Sequence, residues 1–561
     1  MDEARELVAR EEGLLELRVA RQREVLGVGE DRLDHLLGVA LVAKDLGSVL
    51  RVLLERGVHL PVEIMEQRGH APELLVLAEL PRVGANRRFD GQGMAAQRLA
   101  LRVAGQGLPG ALAGRLQATG TIAAAVSQTV LSETVTESFL IEGGRPLNGR
   151  VKAAGNKNGA LPILAACLLT REPVLLQNVP RILDVETMIA LIRDLGVEAE
   201  WTGLNEVRVH AAELDKVELD AELGSRIRAS FLLAGPLLAR AGRAVVPPPG
   251  GDVIGRRRLD PHIHAFVELG AKVSIDENYE LSADALTGRH IHLDEASVMA
   301  TENAVMAASL TTGRTTISNA ACEPHVQDLC RFVGSLGAQI EGLGSNVLHV
   351  TGVERLGGGT YRIAADHIEV GSFIGMSALT GGDLTIEDAV SEDLLPILPA
   401  FERLGVYVEV EETSVRVPPG QDLVVRDDLG GAIPKIEDGP WPSFPADLTS
   451  IAVMLATQAR GTILIFEKMF ESRLFFVDKL VSMGARIILC DPHRVVITGP
   501  AKLYGQRMSS PDIRAGMAML LAALCAEGTS TIGDAYQIDK GYERIDERLR
   551  SVGAAIERVS G

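Results

Sequence analysis

Length, composition and charge indicate a globular protein and argue against nucleic acid as its partner. The chain has 561 residues, 46% hydrophobic and 23% charged, which suits two to four domains. Its 75 acidic residues outnumber 56 Lys and Arg, and a net charge of -19 disfavours nucleic acid or an anionic membrane as main partner. The N-terminus lacks a signal peptide's apolar stretch, and apolar runs such as 517–526 are too short to span a bilayer. We therefore expect a soluble, cytoplasmic protein.

The cysteines show no metal-binding pattern. All five are scattered among apolar residues without a CxxC pair, as is typical of reduced cytosolic proteins. We expect no disulfide, no zinc or other metal, and no organic cofactor.

Residues 1–137 differ from the rest of the chain. They contain fifteen Arg, one Lys (Lys44) and one aromatic residue (Phe89), a poor composition for a packed core. The stretch 36–58 has the apolar pattern of amphipathic helices. Three explanations stay open: a regulatory extension, a disordered tail, or a start codon assigned too far upstream. We assign this segment no chemistry.

A repeat begins after residue 138. An apolar-Gly pair recurs at spacings of 74, 67, 68, 79 and 69 residues, by subtraction of residue numbers. Upstream of five pairs, by 16 to 18 residues, a strand-like run ends in a small polar or acidic residue. The glycines of the pairs are Gly196, Gly270, Gly337, Gly405, Gly484 and Gly553. The residues that end the runs are Asn178, Asn319, Asp388, Glu467 and Asp534.

Each repeat predicts a strand-helix-strand unit. A helical pattern such as VETMIALIRDLG lies between the two markers, and a second strand-like run such as VEAEW follows. The glycine should adopt the left-handed conformation that ends a helix and returns the chain to a strand. Six such units predict an α/β protein. A structural solenoid is the alternative, although its repeats are usually shorter and more uniform.

The segment GRVKAAGNKNGALPILAACLL has the features of an anion site. A strand-like start passes through 155–159 into a strong helix former, so backbone N–H groups and the Lys157 ammonium can face an anion. The alternative is an Asn-Gly turn with a solvated lysine.

The segment VVPPPGGDVIGRRRLDPH has the features of a mobile lid. Prolines stiffen its start, glycines let it move, and Asp252 lies beside Arg256, Arg257 and Arg258. In an acidic chain, such an arginine cluster is typical of a clamp for phosphate or carboxylate groups. We interpret the segment as a lid that brings an acid over a bound anion, with an exposed charged turn as the alternative.

These and further segments resemble the enolpyruvyl transferase family, and in particular its members that act on UDP-N-acetylglucosamine, with EPSP synthase as a relative. The resemblance covers the chain from Ser138 to the C-terminus, with the segments in family order. It is carried by KNGALPILAACLL, NVPRILDVETM, IRASFLLAGPLLAR, PGGDVIGRRRLDPHI, EPHVQD, GVERLGGGTYRIAADHIEVGSF, FPADL, FESRL, PDIRAG and IDKGYERI.

The resemblance implies a fold and a reaction. The fold is an inside-out α/β barrel of two similar domains, each with three of the six units, and an active site in the interdomain cleft. One domain would combine residues 138–156 with 366–561, and the other would span residues 157–365. The reaction is transfer of the enolpyruvyl group of phosphoenolpyruvate to the 3-hydroxyl of UDP-N-acetylglucosamine with release of phosphate, the first committed step of peptidoglycan synthesis.

The resemblance also assigns the phosphoenolpyruvate site. Lys157 and Asn158 would hold this substrate, and Lys157 would take part in catalysis. Arg228, Arg257 and Arg514 would add positive charge around its phosphate or carboxylate.

The sugar site and the catalytic carboxylates follow in the same way. Asp252 would be the loop acid, and Asp447 would face the sugar 3-hydroxyl. Further substrate-binding positions are Arg258, Leu259, Asp260, Pro261, Ser297, Val298, Met469 and Lys540. Positions that would shape the site are Glu323, Asp366, Glu369, Glu471 and Arg473.

The chemistry requires these residue types. Addition needs a proton at the methylene carbon of phosphoenolpyruvate and gives a cation-like centre at C2, which the sugar hydroxyl attacks. Elimination then expels phosphate and restores the alkene. An acid near the methylene, a carboxylate near the hydroxyl and a cationic cradle meet these needs.

Three positions depart from the family pattern. The loop acid is usually a cysteine, which fosfomycin alkylates, whereas this chain has Asp252, a replacement that also occurs in active members. His367 stands where an arginine is common. Lys540 stands where an arginine typically binds the phosphoenolpyruvate carboxylate, and a lysine keeps the charge but loses the bidentate contact.

Two alternative functions stay open. One is a sister enzyme that acts on another hydroxyl acceptor such as shikimate 3-phosphate, although the PGG loop and FPADL favour the UDP-sugar enzyme. The other is a weakened paralogue that binds a UDP-sugar as a regulator.

Overall fold

The computed structural model describes residues 62–66, 74–80, 97–103, 137–252 and 254–560. The chain divides into two compact units, residues 1–133 and 134–561. In the first unit, three strands form an antiparallel sheet in the order β1-β2-β3: β1 (Val62–Glu66), β2 (Leu74–Leu80) and β3 (Gln97–Val103). The helices predicted over 36–58 lie outside the described residues.

We expect residues 1–133 to be dispensable. The second unit holds all six repeats and all the site positions, and its first strand begins at Glu137, so a chain that starts at Thr134 leaves that strand intact. Such a chain should unfold in one cooperative transition and release phosphate from phosphoenolpyruvate at the rate of the full chain. Thermal unfolding and that assay are the measurements. An insoluble or inactive truncation beside an active full chain would contradict this expectation.

Strands and helices alternate through the second unit. Its strands are β4 (Glu137–Glu142), β5 (Gly149–Lys152), β6 (Val174–Gln177), β7 (Glu198–Gly203), β8 (Glu206–His210), β9 (Arg243–Val246), β10 (Lys272–Ile275), β11 (Tyr279–Ser282), β12 (His290–His292), β13 (Arg314–Ser318), β14 (Gln339–Glu341), β15 (Val347–Thr351), β16 (Gly359–Arg362), β17 (Leu384–Glu387), β18 (Glu409–Val410), β19 (Ser414–Val417), β20 (Lys435–Glu437), β21 (Gly461–Phe466), β22 (Ile487–Asp491), β23 (Arg494–Gly499), β24 (Arg507–Ser509), β25 (Thr529–Gly533) and β26 (Ala555–Ser560).

The helices differ in length and burial. They are α1 (Lys157–Ala166), α2 (Leu183–Asp194), α3 (Ala221–Arg226), α4 (Ala234–Ala241), α5 (Asp260–Glu268), α6 (Val298–Ala308), α7 (Pro324–Ser335), α8 (His367–Thr380), α9 (Leu398–Glu402), α10 (Thr449–Gln458), α11 (Val477–Met483), α12 (Ile513–Cys525), α13 (Ala535–Asp539) and α14 (Ile545–Ser551). Short 3-10 helices span Cys167–Leu169, Arg228–Leu233, Ser391–Leu394 and Ala446–Leu448.

The strands of this unit form six small sheets. Five have four strands, with one parallel pair at an edge and two antiparallel pairs, and the sixth has three antiparallel strands. Their orders are β16-β6-β8-β7, β10-β11-β9, β12-β13-β15-β14, β18-β19-β17-β5, β20-β21-β23-β22 and β24-β25-β4-β26. The unit is therefore mixed α/β.

The glycines of the repeat have the predicted conformation. All six have positive φ, between 85 and 116°, and each lies between a helix and the next strand. Four of the five strand-ending residues, Asn178, Asn319, Asp388 and Asp534, are also left-handed, with φ of 56 to 60°. Asn and Asp tolerate this region because their side chains hydrogen-bond locally. Glu467, whose longer side chain lacks this advantage, is not among the positive-φ residues.

One repeat replaces the short turn with a loop. After β9 the chain does not pass at once into a helix, and residues 247–259 intervene before α5 begins at Asp260. This loop contains Asp252 and the three arginines.

Buried apolar residues form two separate clusters. One takes its members from 139–153 and 365–556, and the other from 160–363. Helices α8, α10 and α12 pack against one another in the first cluster, and α4 packs against α6 in the second. Helices α6, α8, α10 and α12 are buried along almost their whole length, whereas α4 is buried only over residues 234–238. The apolar run 517–526 falls mostly within α12, and no helix in the described part of the chain has both the length and the apolarity that a bilayer crossing needs.

Candidate active site

Eight helical segments begin at one cavity of about 280 Å³. Members of both buried clusters line it, including Leu161 and Leu232 from one and Ile368 and Ile513 from the other. The lining residues in the first turns of these segments are Lys157 (α1), Asp184 (α2), Arg228 (3-10 helix before α4), Val298 (α6), His325 (α7), His367 (α8), Asp447 (3-10 helix before α10) and Arg514 (α12). Because unpaired N–H groups at helix N-termini favour negative charge, the cavity suits an anion.

Side-chain caps hold four of these first turns in place, and three of the caps, those of α1, α8 and α12, are amide or carboxylate groups. Asn156 Oδ1 accepts a hydrogen bond from Gly159 N at 3.1 Å. Asp366 Oδ1 accepts one from Ile368 N at 2.9 Å, and Asp512 Oδ1 accepts one from Arg514 N at 2.8 Å. A cap of this kind typically stabilises its helix by about 1 kcal/mol. The caps therefore fix the starting points of α1, α8 and α12.

Asp447 lies between two arginines. Its Oδ2 is 2.7 Å from Arg514 Nη2, and its Oδ1 is 3.1 Å from Arg473 Nη2. Asn158 Nδ2 donates to Oδ2 at 3.5 Å. Burial alone would raise the pKa of Asp447, but Arg514 and Arg473 outweigh it and hold the pKa far below its ordinary range. Asp447 is therefore ionised at any pH near neutrality.

Lys157 also has a carboxylate partner. Its Nζ lies 2.7 Å from Asp184 Oδ2, and the two side chains are only 10% and 15% exposed. Asp184 is in the first turn of α2 and lines the cavity. Asp184 was not predicted from the sequence to belong to the site.

The loop of residues 247–259 forms part of the cavity wall. Asp252 and Arg257 both line it, and Arg228 Nη2 donates to the Arg257 carbonyl oxygen at 2.5 Å. Burial, with Arg257 as a second cause, lowers the pKa of Arg228 to about 10, and burial also lowers the pKa of Arg257. Burial therefore disfavours the charged forms of both guanidiniums, and a bound anion would offset this cost.

Hydrogen bonds to residues 471 and 472 hold the loop in place. Arg256 N donates to Glu471 Oε1 at 2.9 Å, and Ser472 N donates to the Ile254 carbonyl oxygen at 3.1 Å. Gly255 has φ +139°, and a Cβ there would lie 2.4 Å from Glu471 Oε2. A side chain at this position would therefore push the loop away from Glu471.

His367 does not supply the charge of the arginine that the family commonly has there. It is buried, stacks on His325 with ring centroids 6.3 Å apart, and faces the edge of Trp441 at 5.7 Å. Burial lowers the pKa of His367 to about 4 and that of His325 to about 3, so both are neutral at pH 7. Lys540 does line the cavity, with Nζ 2.6 Å from Gln537 Oε1.

Five predicted substrate positions do not line this cavity. Arg258 pairs instead with Asp260 at 3.3 Å and Asp294 at 3.1 Å. Leu259 and Asp260 line a neighbouring groove that shares Arg228 and Arg257 with the cavity.

The other two of those five positions, Pro261 and Ser297, lie at the starts of helices and do not line the cavity. Pro261 is buried in the first turn of α5, and Ser297 Oγ caps α6 by accepting from Ala300 N at 3.4 Å. Val298 and Met469, by contrast, line the cavity.

The positions predicted to shape the site divide into two groups. Glu323 and Arg473 line the cavity, and Glu471 holds the loop. Asp366 is the cap of α8, and Glu369 accepts from Ala154 N at 2.7 Å and pairs with Arg548. These last two residues therefore stabilise the chain around the site.

Sequence reasoning missed several further lining residues, among them Asp184, Glu302, His325 and Trp441. Glu302 and Glu323 are buried, and burial raises the pKa of each. Glu302 lies four residues after Val298 on α6, so the two share a helix face, and this spacing could have identified Glu302. No comparable pattern marks Asp184.

Comparison with known sequences gives consistent matches. The family profile described as EPSP synthase (3-phosphoshikimate 1-carboxyvinyltransferase) matches residues 141–549. The UDP-N-acetylglucosamine 1-carboxyvinyltransferase of Bradyrhizobium diazoefficiens is 58% identical over 421 residues, covering 75% of this chain and 98% of that protein. The enzyme of the same name from Treponema denticola is 54% identical over 419 residues, covering 75% and 98%.

Solved structures agree on the fold. The enolpyruvyl transferase NikO from Streptomyces tendae superposes with a TM-score of 0.68 at 25% identity, covering 76% of this chain and 99% of that one. EPSP synthase from Acinetobacter baumannii gives a TM-score of 0.59 at 16% identity, covering 76% and 100%. The second match supports the fold alone.

Proposed function

This chain belongs to the UDP-N-acetylglucosamine 1-carboxyvinyltransferase family, and we propose that the cavity described above is where its reaction takes place. It transfers the enolpyruvyl group of phosphoenolpyruvate to the 3-hydroxyl of UDP-N-acetylglucosamine and releases phosphate. The observation that carries the assignment is one carboxylate, Asp447, held between two arginines in a cavity where eight helix N-termini meet.

Phosphoenolpyruvate would bind among the cations of the cavity. Lys157 and Asn158 lie at the start of α1, where backbone N–H groups add to the positive field. Arg228 and Arg257 are held close together at the other side of the loop, and a bound phosphate would relieve their mutual repulsion. Lys540 would contribute a single ammonium contact to the substrate carboxylate.

Asp252 would protonate the methylene carbon of phosphoenolpyruvate. Asp252 lines the cavity wall, and the hydrogen bonds to Glu471 and Ser472 hold its loop there. Protonation leaves positive charge at C2, and the sugar 3-hydroxyl then attacks that carbon. The same loop excludes water, which would otherwise compete with the hydroxyl.

Asp447 would orient the attacking hydroxyl. Because its two arginines keep it a weak base, it accepts a hydrogen bond before the reaction and the proton only as the new C–O bond forms. Arg473 and Arg514 also fix the direction of its oxygens.

The UDP-sugar would extend from the cavity into the neighbouring groove. Val298 and Met469 line the cavity end, and Leu259 and Asp260 line the groove. Arg257 belongs to both, so it can contact both substrates. Arg258, Pro261 and Ser297 would support this region through the contacts given above.

The two buried clusters would be the two domains of an inside-out barrel. The proposed domains, 138–156 with 366–561 and 157–365, follow the membership of the clusters closely. In the cell we propose that the enzyme acts in the cytoplasm, where it would begin peptidoglycan synthesis from these two small-molecule substrates.

The direct test is an acceptor-dependence assay. Purified full-length protein should release phosphate from phosphoenolpyruvate only when UDP-N-acetylglucosamine is present, and mass spectrometry should identify the enolpyruvyl product. Release with shikimate 3-phosphate instead would assign a different acceptor. Binding of the UDP-sugar without turnover would indicate a regulator.

We expect Lys157→Ala to reduce kcat/KM for phosphoenolpyruvate by about two to three powers of ten, because loss of a buried cationic contact to phosphate typically costs about 2–4 kcal/mol. Steady-state phosphate release is the measurement. The matched control is Lys152→Ala, which removes an exposed lysine paired with Asp388 at 3.1 Å outside the cavity. Equal activity of the two variants would show that Lys157 does not bind substrate.

A further inference from the structure

Asp184 has no part in the scheme above, yet it holds the lysine on which that scheme depends. Its Oδ2 contacts Lys157 Nζ at 2.7 Å, and both side chains are largely buried. The contact joins the first turn of α2 to the first residue of α1, and these two helices pack together. The Lys157 ammonium is therefore already placed before any substrate arrives.

Three other cations of the cavity are held by a carboxylate that the scheme uses or by a backbone carbonyl oxygen. Arg473 and Arg514 are both held by Asp447, which the scheme requires to stay in place. Arg228 is held by the carbonyl oxygen of Arg257. Lys157 is held by a carboxylate that the scheme does not use, so a phosphate group must share the ammonium with Asp184.

The charge of Asp184 opposes a bound anion. Asp184 lies in the cavity wall, and its charge is one of those that partly offset the lowering of the Arg257 pKa by burial. A carboxylate beside the phosphate site repels phosphate through a medium that screens it poorly. Substrate binding is weakened by this repulsion, but so is binding of the phosphate product.

We propose that Asp184 is a positioning residue that competes with phosphate for Lys157. Asp184 orients the Lys157 ammonium in the ligand-free enzyme. After elimination it forms its ion pair with Lys157 again, which speeds the departure of phosphate. This inference rests on the proposed function, since it assigns phosphate to the Lys157 side of the cavity.

The variant Asp184→Asn separates the two effects of this carboxylate. Its amide oxygen can still accept a hydrogen bond from Lys157, but the negative charge is gone. We expect inorganic phosphate to bind about tenfold more tightly and KM for phosphoenolpyruvate to fall. The kcat value should fall severalfold, because product release becomes slower. A residue that only supported the fold would not lower KM while lowering kcat.

The experiment is calorimetric titration of the full-length protein with inorganic phosphate, with and without UDP-N-acetylglucosamine, together with product inhibition by phosphate. Asp194→Asn is the matched control, because Asp194 ends the same helix and pairs with Lys216 at 2.8 Å. Its phosphate affinity should equal that of the unmodified protein. Asp184→Glu keeps the charge and should not show the tenfold gain.

Phosphate affinity in Asp184→Asn that is unchanged or weaker would overturn the inference. So would a failure of the unmodified protein to bind phosphate while it still transfers the enolpyruvyl group. If the unmodified protein binds phosphate but transfers nothing to the UDP-sugar, the proposed function fails, and the calorimetric comparison still decides the role of Asp184.

Discussion

Replacing Asp447 with Asn is expected to lower kcat by at least about three powers of ten. The amide cannot accept the proton of the sugar hydroxyl, and it leaves Arg473 and Arg514 without the charge that now neutralises them. Phosphate release and formation of the enolpyruvyl sugar are the measurements. Because two largely buried guanidiniums lose their partner, the variant should also be destabilised, by about 3–5 kcal/mol.

Two controls separate catalysis from folding. A thermal unfolding curve must show that the Asp447→Asn variant is still folded at the assay temperature. Asp383→Asn removes an exposed carboxylate that also pairs with an arginine, Arg416, at 2.8 Å, and it should keep full activity. A folded Asp447→Asn variant within about tenfold of the unmodified rate would remove Asp447 from the mechanism.

The low pKa of Asp447 also determines how stability and activity depend on pH through this residue. Its native pKa lies below that of an unfolded aspartate, about 3.9, so its contribution to stability is complete above that pH and is lost on acidification. Any loss of activity between about pH 5 and 6 must therefore come from another group.

Replacing Asp252 should change both turnover and drug sensitivity. Asp252→Asn is expected to lose about three powers of ten in kcat, because an amide is not an acid. Asp252→Cys should keep activity, since a thiol can also donate a proton, and it should become sensitive to fosfomycin. The unmodified protein should stay active after treatment with fosfomycin, because a carboxylate is a far weaker nucleophile toward an epoxide than a thiolate.

The measurement is phosphate release with and without preincubation in fosfomycin, followed by mass spectrometry of the labelled residue. Cys322 is the internal control near the cavity, because its Sγ lies 3.3 Å from the carbonyl oxygen of Trp441, a cavity-lining residue. Burial, with Glu323 as a second cause, raises the pKa of Cys322, so it stays a thiol and should remain unlabelled. Inactivation of the unmodified protein, or full activity of Asp252→Asn, would mean that Asp252 is not the acid.

Local sequence alone determined the repeat and most of the residue types at the site. The positions of the six glycines follow from the sequence because a residue that ends a helix in the left-handed region is favoured as glycine wherever the helix occurs. Glu467 does not share the left-handed conformation of the other four strand-ending residues, because its side chain lacks the local hydrogen bonds that Asn and Asp make in that conformation. Lys157, Asn158, Asp252 and Asp447 were likewise found from short motifs, with their roles taken from a family resemblance.

Only the tertiary structure decided which charges meet. Asp447 is 67 residues from Arg514 and 26 from Arg473 along the chain, and Lys157 meets Asp184 across two helices with nothing in either motif to signal the contact. His367 is neutral because Trp441 and His325 bury it, an environment that its neighbours in sequence do not reveal. Burial and pairing depend on distances between segments, and local sequence sets the conformation of each segment but not those distances.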